Sequence, residues 1–75
     1  MFRPVKYRRG KCLLRDLLRK RGLTQTDIVD RTGYDKSIVS KYVNGSRRMG
    51  FDTAKTIAVA INSTIDDLYE WIPED

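Results

Sequence analysis

The sequence predicts an all-α fold of five short helices, and three observations support this prediction. Apolar residues recur at helical spacing in five separate segments, which is the pattern of helices that bury one face. Glycines and good N-capping residues separate those segments, so each helix has a defined start or end. The chain has 75 residues, and a domain of this size buries about 60% of its unfolded surface. We therefore expect one compact domain with short loops.

The first two predicted helices carry clear boundary residues. In residues 12–21, leucines occupy one face and charged residues the other, and Gly22 ends the helix. The second helix is expected over about residues 24–31. It begins at Thr24, because the Thr24 hydroxyl and the Asp27 carboxylate can satisfy free backbone amides of the first turn in a capping box.

Three further helices complete the prediction. The third covers about residues 35–43, with Asp35 as its N-cap and an Asn-Gly stop at 44–45. The fourth covers residues 51–61, and the fifth covers residues 64–72. The helices together should bury one core, formed by Leu14, Leu17, Ile28, Val39, Ile57, Ile61 and Leu68.

The second and third predicted helices form a pair across about residues 25–44. Gly33 lies where the chain turns sharply between them, a place that usually requires a positive φ, which glycine adopts without steric cost. Two short helices joined by such a turn are the sequence form of a helix-turn-helix, whose second helix enters the DNA major groove.

A polar stripe lies on the outward face of the third predicted helix. Its members follow the i, i+3, i+4, i+7 spacing of one helix face. Short hydroxyls allow close approach to base edges, and lysine can donate to guanine O6 and N7. An ordinary solvated face would show the same spacing, so both interpretations stay open at this point. The stripe consists of Ser37, Ser40, Lys41 and Asn44, with Lys36 at its start.

Residues around the stripe are candidates for contact with DNA phosphates. A helix N-terminus offers free amides and a positive dipole end. In a helix-turn-helix, basic residues in the loop after the second helix face the DNA backbone. The phosphate-binding candidates are Gln25, Thr26, Asn44, Arg47 and Arg48. Basic residues near the N-terminus could form a flexible arm along the phosphates, with an untidy terminus as the alternative. These arm residues are Arg3, Lys6, Arg8, Arg9 and Lys11.

Charge is distributed unevenly along the chain. The formal net charge is +5. Residues 1–55 hold all 15 Lys and Arg against five Asp, a net +10, and residues 56–75 hold five acidic residues and no basic one, a net −5. The positively charged residues 1–55 are suited to bind a polyanion. Nucleic acid fits better than a membrane, because no basic stretch carries a bulky apolar face of interfacial length.

The residue inventory argues against catalysis and metal binding. Cys12 is the only cysteine and the chain has no histidine, so one chain cannot assemble a disulfide framework or a zinc site, and a reducing cytoplasm is the natural compartment. Paired carboxylates occur only at helix starts or on surfaces, where they have a simpler role. No apolar run resembles a signal peptide or a membrane span. We expect no enzyme activity, cofactor, metal or small-molecule ligand.

The order of these motifs resembles the Cro/CI-type (XRE-like, lambda-repressor-like) helix-turn-helix domain of bacterial and phage regulators. The resemblance covers about residues 13–71. Its motifs are Leu23-Thr24-Gln25, Gly33, Val39-Ser40-Lys41, Gly45, Ile57-Ala58 and Thr64-Ile65-Asp66-Asp67-Leu68.

The resemblance implies a compact five-helix, lambda-repressor-like fold and assigns roles to the candidates. In the family, the glutamine that begins the second helix contacts phosphate, which carries over to Gln25. The first turns of the recognition helix read bases, which carries over to Lys36, Ser37, Ser40 and Lys41. The sequence departs from the family pattern at three positions outside the stripe. Val29 stands where the family usually has alanine, Met49 replaces a frequent proline before the fourth helix, and Ser63 replaces a frequent apolar residue before the fifth.

The sequence thus predicts a sequence-specific regulator of transcription that binds double-stranded DNA, as a small bacterial or phage repressor on a pseudo-palindromic operator. It should act as a homodimer, formed in solution or only on DNA, in the cytoplasm at the nucleoid. The alternative is a protein-interaction module that engages another regulator, a toxin or polymerase through the aromatic, acidic C-terminal segment. The expected organisation is a basic arm (1–11), the helix-turn-helix domain (12–72) and an acidic tail (73–75).

Overall fold

Five helices and a two-stranded antiparallel sheet make up the protein in the computed structural model, which describes residues 5–74. The elements in chain order are β1 (Lys6–Cys12), α1 (Leu14–Arg21), α2 (Gln25–Thr32), α3 (Lys36–Asn44), α4 (Phe51–Ala60), α5 (Ile65–Leu68) and β2 (Tyr69–Glu74). All five predicted helices are present. The prediction of an all-α fold is wrong at both ends of the chain, where the sheet forms. No helix within residues 5–74 is long and apolar enough to cross a membrane.

The predicted capping residues begin the helices as expected. At the start of α2, the Asp27 carboxylate accepts from the Thr24 amide at 2.8 Å, and the Thr24 hydroxyl accepts from the Asp27 amide. Thr64 and Asp67 form the same capping box before α5. Because these bonds satisfy donors that a helix start leaves free, the boundaries follow from local sequence.

One hydrophobic core holds the helices together. All seven predicted core residues are buried in it. α2 packs on α3 and α4, while α1 packs on α3 and α5. The core also includes residues beyond those seven, namely Leu18, Tyr42, Val43, Met49, Ala54, Ala58 and Tyr69.

The sheet joins the two ends of the chain. β1 pairs antiparallel with β2, and the register places Arg9 opposite Trp71 and Cys12 opposite Tyr69. The amide of Leu13 also donates to the carbonyl of Leu68 at 2.7 Å. Residues 69–72, predicted as the end of the last helix, therefore form a strand instead. Their partner lies at the other end of the sequence, so a local helical pattern could not reveal the pairing.

The sheet also corrects the predicted N-terminal arm. Residues 6–11 belong to a paired strand and not to a flexible arm. Among the arm candidates, Lys6, Arg8, Arg9 and Lys11 lie in β1, and Arg3 lies outside the described residues. The expected limits of the central domain, at 11/12 and 72/73, fall within β1 and β2.

Candidate nucleic-acid interface

α2 and α3 form the predicted helix-turn-helix. Gly33 ends α2 with φ of +77°, and its amide donates to the Val29 carbonyl at 2.8 Å. The turn is short, because α3 begins three residues later. Ile28 of α2 and Val39 of α3 are both fully buried. The packing of α2 on α3 holds the two helices together, and the opposite side of α3 is exposed.

The outward face of α3 carries the predicted stripe. Val39, Tyr42 and Val43 attach the helix to the core. Lys36, Ser37, Lys41 and Asn44 are exposed, and Ser40 is half-buried. The structure therefore brings all five stripe residues to the accessible side of one helix, as their spacing predicts.

Asp35 organises the start of α3. Its carboxylate accepts a hydrogen bond from the Ser37 amide at 3.0 Å and another from the Ser37 hydroxyl. These two bonds from Ser37 lower the pKa of the Asp35 carboxyl below its usual value. Since the hydroxyl hydrogen of Ser37 is directed at Asp35, its oxygen presents lone pairs to an approaching molecule.

The start of α2 offers two backbone donors. The Thr24 cap satisfies the Asp27 amide, and the Asp27 carboxylate satisfies the Thr24 amide. The amides of Gln25 and Thr26 occupy the first two helical positions, which have no partner within a helix. With the positive end of the helix dipole, they form a place that suits a phosphate oxygen.

The loop after α3 presents the two predicted arginines. Gly45 ends α3 in the left-handed conformation, and the amides of Ser46 and Arg47 donate back to the Lys41 carbonyl at 3.0 and 3.3 Å. The loop is thereby folded against the end of α3, with Arg47 and Arg48 exposed. Both cations lie beside Asn44 around one surface groove.

A brace behind this loop was not predicted. The Arg9 guanidinium donates to the Met49 carbonyl at 3.1 Å and lies 4.9 Å from the centre of the Tyr69 ring. Met49 itself is buried. Arg9 thus supports the loop, whereas Arg8 lies 3.9 Å from the Glu74 carboxylate. No sequence signal pointed to the brace, because it depends on the pairing of β1 with β2.

Comparison with known proteins agrees with this geometry. The family model of the Cro/C1-type HTH DNA-binding domain matches residues 13–74. The chain is similar to the SPbeta prophage-derived uncharacterized HTH-type transcriptional regulator YopS of Bacillus subtilis (strain 168), with 35% identity over 68 residues, 89% of this chain and 92% of the relative. It is also similar to the SPbeta prophage-derived uncharacterized HTH-type transcriptional regulator YotL of the same strain, with 36% identity over 71 residues, 93% of this chain and 82% of the relative.

No solved structure matches the chain. The family match nevertheless covers all five helices, the turn at Gly33 and the exposed face of α3. The chain therefore belongs to the family of Cro/C1-type helix-turn-helix DNA-binding domains.

Proposed function

We propose that this DNA-binding transcriptional regulator is a repressor that reads a specific operator with the exposed face of α3. One observation carries the proposal. The segment from α3 through the following loop, residues 36–48, contains Lys36, Lys41, Arg47 and Arg48 and no acidic residue, while the buried side of α3 is apolar. A cationic helix face on a rigid apolar support suits the major groove of DNA.

The candidate residues divide into two groups. Lys36, Ser37, Ser40 and Lys41 are proposed to contact base edges, because they lie on the first two turns of α3. Ser37 has a defined preference in this scheme: its free lone pairs suit the amino group of adenine or cytosine. The residues proposed to bind phosphates are Gln25 and Thr26 at the start of α2, Asn44 at the end of α3, and Arg47 and Arg48 in the following loop.

The operator is proposed to be pseudo-palindromic and bound by a homodimer. One recognition helix covers few base pairs, and a small domain makes few phosphate contacts, so a monomer discriminates poorly among genomic sites. The prophage origin in the names of both relatives supports a role as a small bacterial or phage repressor. It would act without enzymatic chemistry, in the cytoplasm at the nucleoid.

One face of the sheet is proposed as the contact between the two copies. Tyr7 lies opposite Pro73 and Arg9 opposite Trp71, and side chains directly opposite each other share a face. Tyr7 is 59% exposed and Trp71 is 39% exposed. Phe51, which lines the same surface groove as Trp71, is 79% exposed. Together they form an apolar surface of the kind that marks a protein contact.

Charge favours this face over the two edges of the sheet. Symmetric pairing of β1 with a second β1 would bring basic residues together, and symmetric pairing of β2 would bring Glu70 and Glu74 together. Pro73 also lacks an amide that could extend the sheet. The alternative is that a different regulator, a toxin or polymerase binds the same apolar face. Sedimentation equilibrium of the protein on a two-half-site duplex tests the dimer against this alternative.

Selection of binding sites from random duplexes, followed by footprinting, tests the proposed function. The expected result is two related half-sites whose centres are about one helical turn apart. Lys36→Glu should abolish selection, because it reverses a charge on the reading face, while Lys55→Glu on the exposed side of α4 should preserve the selected sequence. Recovery of no preferred sequence, or of one asymmetric half-site bound by one chain, would contradict the proposal.

A further inference from the structure

We propose that a second basic element, Lys11 of β1 with Arg15 of α1, binds successive phosphates of the DNA backbone beside the end of α3. The inference rests on the proposed function and extends it to residues outside the helix-turn-helix. Both side chains line a surface groove of about 570 Å³, together with Asn44, Arg47 and Arg48. Elements far apart in sequence thus supply cations to one place.

A β-bulge places Lys11 at the groove. The register shifts between Arg9 and Cys12, so β1 carries one extra residue there. Such a bulge redirects a side chain relative to a regular strand. Gly10 permits the close approach of the strands, because a Cβ at this position would lie 2.9 Å from Ile72 Cδ1 and 3.0 Å from Glu70 Cβ. The bulge therefore has a structural basis, and Lys11 is exposed at the groove.

Arg15 reaches the groove from α1 and orients Asn44. Its guanidinium donates to Asn44 Oδ1. Arginine has no acceptor, so this bond fixes which end of the Asn44 amide faces Arg15. The NH₂ group of Asn44 is then directed away from Arg15 and can donate to an anion. Arg15 uses one of its five donors in this contact, and the others remain for a phosphate.

The charges around the groove favour an anion. Lys11, Arg15, Arg47 and Arg48 are all exposed there. Asp16 also lines the groove, but its carboxylate lies 4.0 Å from Arg19 Nη1. Within residues 5–74, none of the four groove cations forms a salt bridge. Four like charges around one open groove suit the successive phosphates of duplex DNA, which neutralise them on binding.

The test is the salt dependence of binding to a random-sequence duplex, measured for the full chain and for Lys11→Ala and Arg15→Ala. Each phosphate contact contributes about 0.9 to the slope of log K against log salt. Each variant should therefore lose about one unit of slope. Between about 50 and 200 mM salt, its affinity should fall roughly three- to fourfold less than that of the unchanged chain.

Lys20→Ala is the matched control, because Lys20 lies on the same helix as Arg15 but lines a different groove with Asp66 and Asp67. Its slope should equal that of the unchanged chain. Arg15→Lys retains the charge, so it should retain the slope and lose only affinity. The loss of affinity in Arg15→Lys should not add to the loss in Asn44→Ala, because both variants remove the contribution of the oriented Asn44 amide.

The possible failures are distinguishable. If the unchanged chain shows no salt-dependent binding, the proposed function fails and this inference fails with it. If the unchanged chain binds and Lys11→Ala and Arg15→Ala keep the slope of Lys20→Ala, the groove inference alone is wrong. Thermal melting of each variant checks that it is folded, and a loss of slope in a folded Arg15→Ala variant supports the inference.

Discussion

The hydroxyl oxygen of Tyr69 accepts a 3.2 Å hydrogen bond from the buried backbone amide of Met49. The bond connects β2 to the loop that carries Arg47 and Arg48. It also accounts for a departure from the family pattern, since the frequent proline at the position of Met49 has no amide to donate. Both side chains are buried, with exposures of 2% for Met49 and 5% for Tyr69, so the bond is protected from water.

Tyr69→Phe should destabilise the protein by about 1–3 kcal/mol, because it leaves the buried Met49 amide without its partner. Chemical denaturation gives this difference in the free energy of unfolding. Tyr7→Phe is the control: Tyr7 is exposed, and its substitution should change the free energy by about 0.5 kcal/mol or less. Equal effects of the two substitutions would show that the Tyr69 hydroxyl does not stabilise the loop.

The helices could be predicted from the sequence because their signals are local. The Thr24 capping box and the glycine end of α2 depend on residues within a few positions of each other, and the structure confirms both. The stripe on α3 follows from helical spacing alone. Its position on the exposed side is confirmed, whereas the contacts of its members with bases stay predictions.

The sheet could not be predicted in this way because its two strands come from opposite ends of the chain. Residues 69–72 continue the apolar spacing of α5, so the local pattern fits a helix. Pairing with β1 overrides that pattern. The groove formed by Lys11 and Arg15 with Arg47 depends on the same long-range pairing. Tyr69 and Trp71 alternate with Glu70 before Pro73, and this alternation was the available signal for a strand.

Gly33→Val should lower the free energy of unfolding by about 1–3 kcal/mol, because a β-branched residue is strained at φ of +77°. An added Cβ at Gly33 has no atom within 4 Å, so the cost comes from backbone conformation and not from a clash. Gly33→Asn should therefore cost less, since asparagine tolerates the left-handed region. Thermal melting ranks the two variants. A Gly33→Asn variant as unstable as Gly33→Val would contradict this explanation.

The Asp35 cap should give the protein an acid-sensitive contribution to stability. Its pKa in the folded state is below the usual value of 3.8, so folding favours the ionised form. The contribution is complete above the unfolded pKa and is lost as the pH falls through that value towards the folded one. Relative to Asp35→Asn, the wild-type chain should be most stable above about pH 5 and should lose that advantage below about pH 4. A difference in melting temperature that is constant with pH would refute this.

Substitutions of base-reading residues should change the sequence preference of binding, whereas substitutions of phosphate-binding residues should weaken binding to every sequence. Lys41→Ala should weaken the free energy of binding to the preferred site by roughly 1–3 kcal/mol and relax the base preference at one position of that site. Arg47→Ala should weaken all sequences equally and lower the salt slope by about one unit. Gln25→Ala removes no charge and should weaken binding with little change of slope. Affinities for a panel of operator variants provide the comparison, and a uniform loss for Lys41→Ala would favour the protein-interaction alternative.

The apolar face of the sheet should control assembly on the operator. Trp71→Ser removes an aromatic side chain from that face, and truncation of such an anchor costs about 2 kcal/mol or more at an interface. At a protein concentration that just places two unchanged chains on a two-half-site duplex, we expect sedimentation equilibrium to show mainly one bound chain for the variant, because the second chain no longer binds cooperatively. Binding to a single half-site should be unchanged, because Trp71 lies outside the proposed DNA contacts.

Val59→Ser provides the control for this measurement, since Val59 is 60% exposed on α4. It should leave the number of bound chains unchanged. If Trp71→Ser also binds as two chains with unchanged affinity, the sheet face is not the contact between copies. Because symmetric pairing at either edge would bring like charges together, the dimer would then have to be formed by a helical surface or held only by the spacing of the half-sites on DNA.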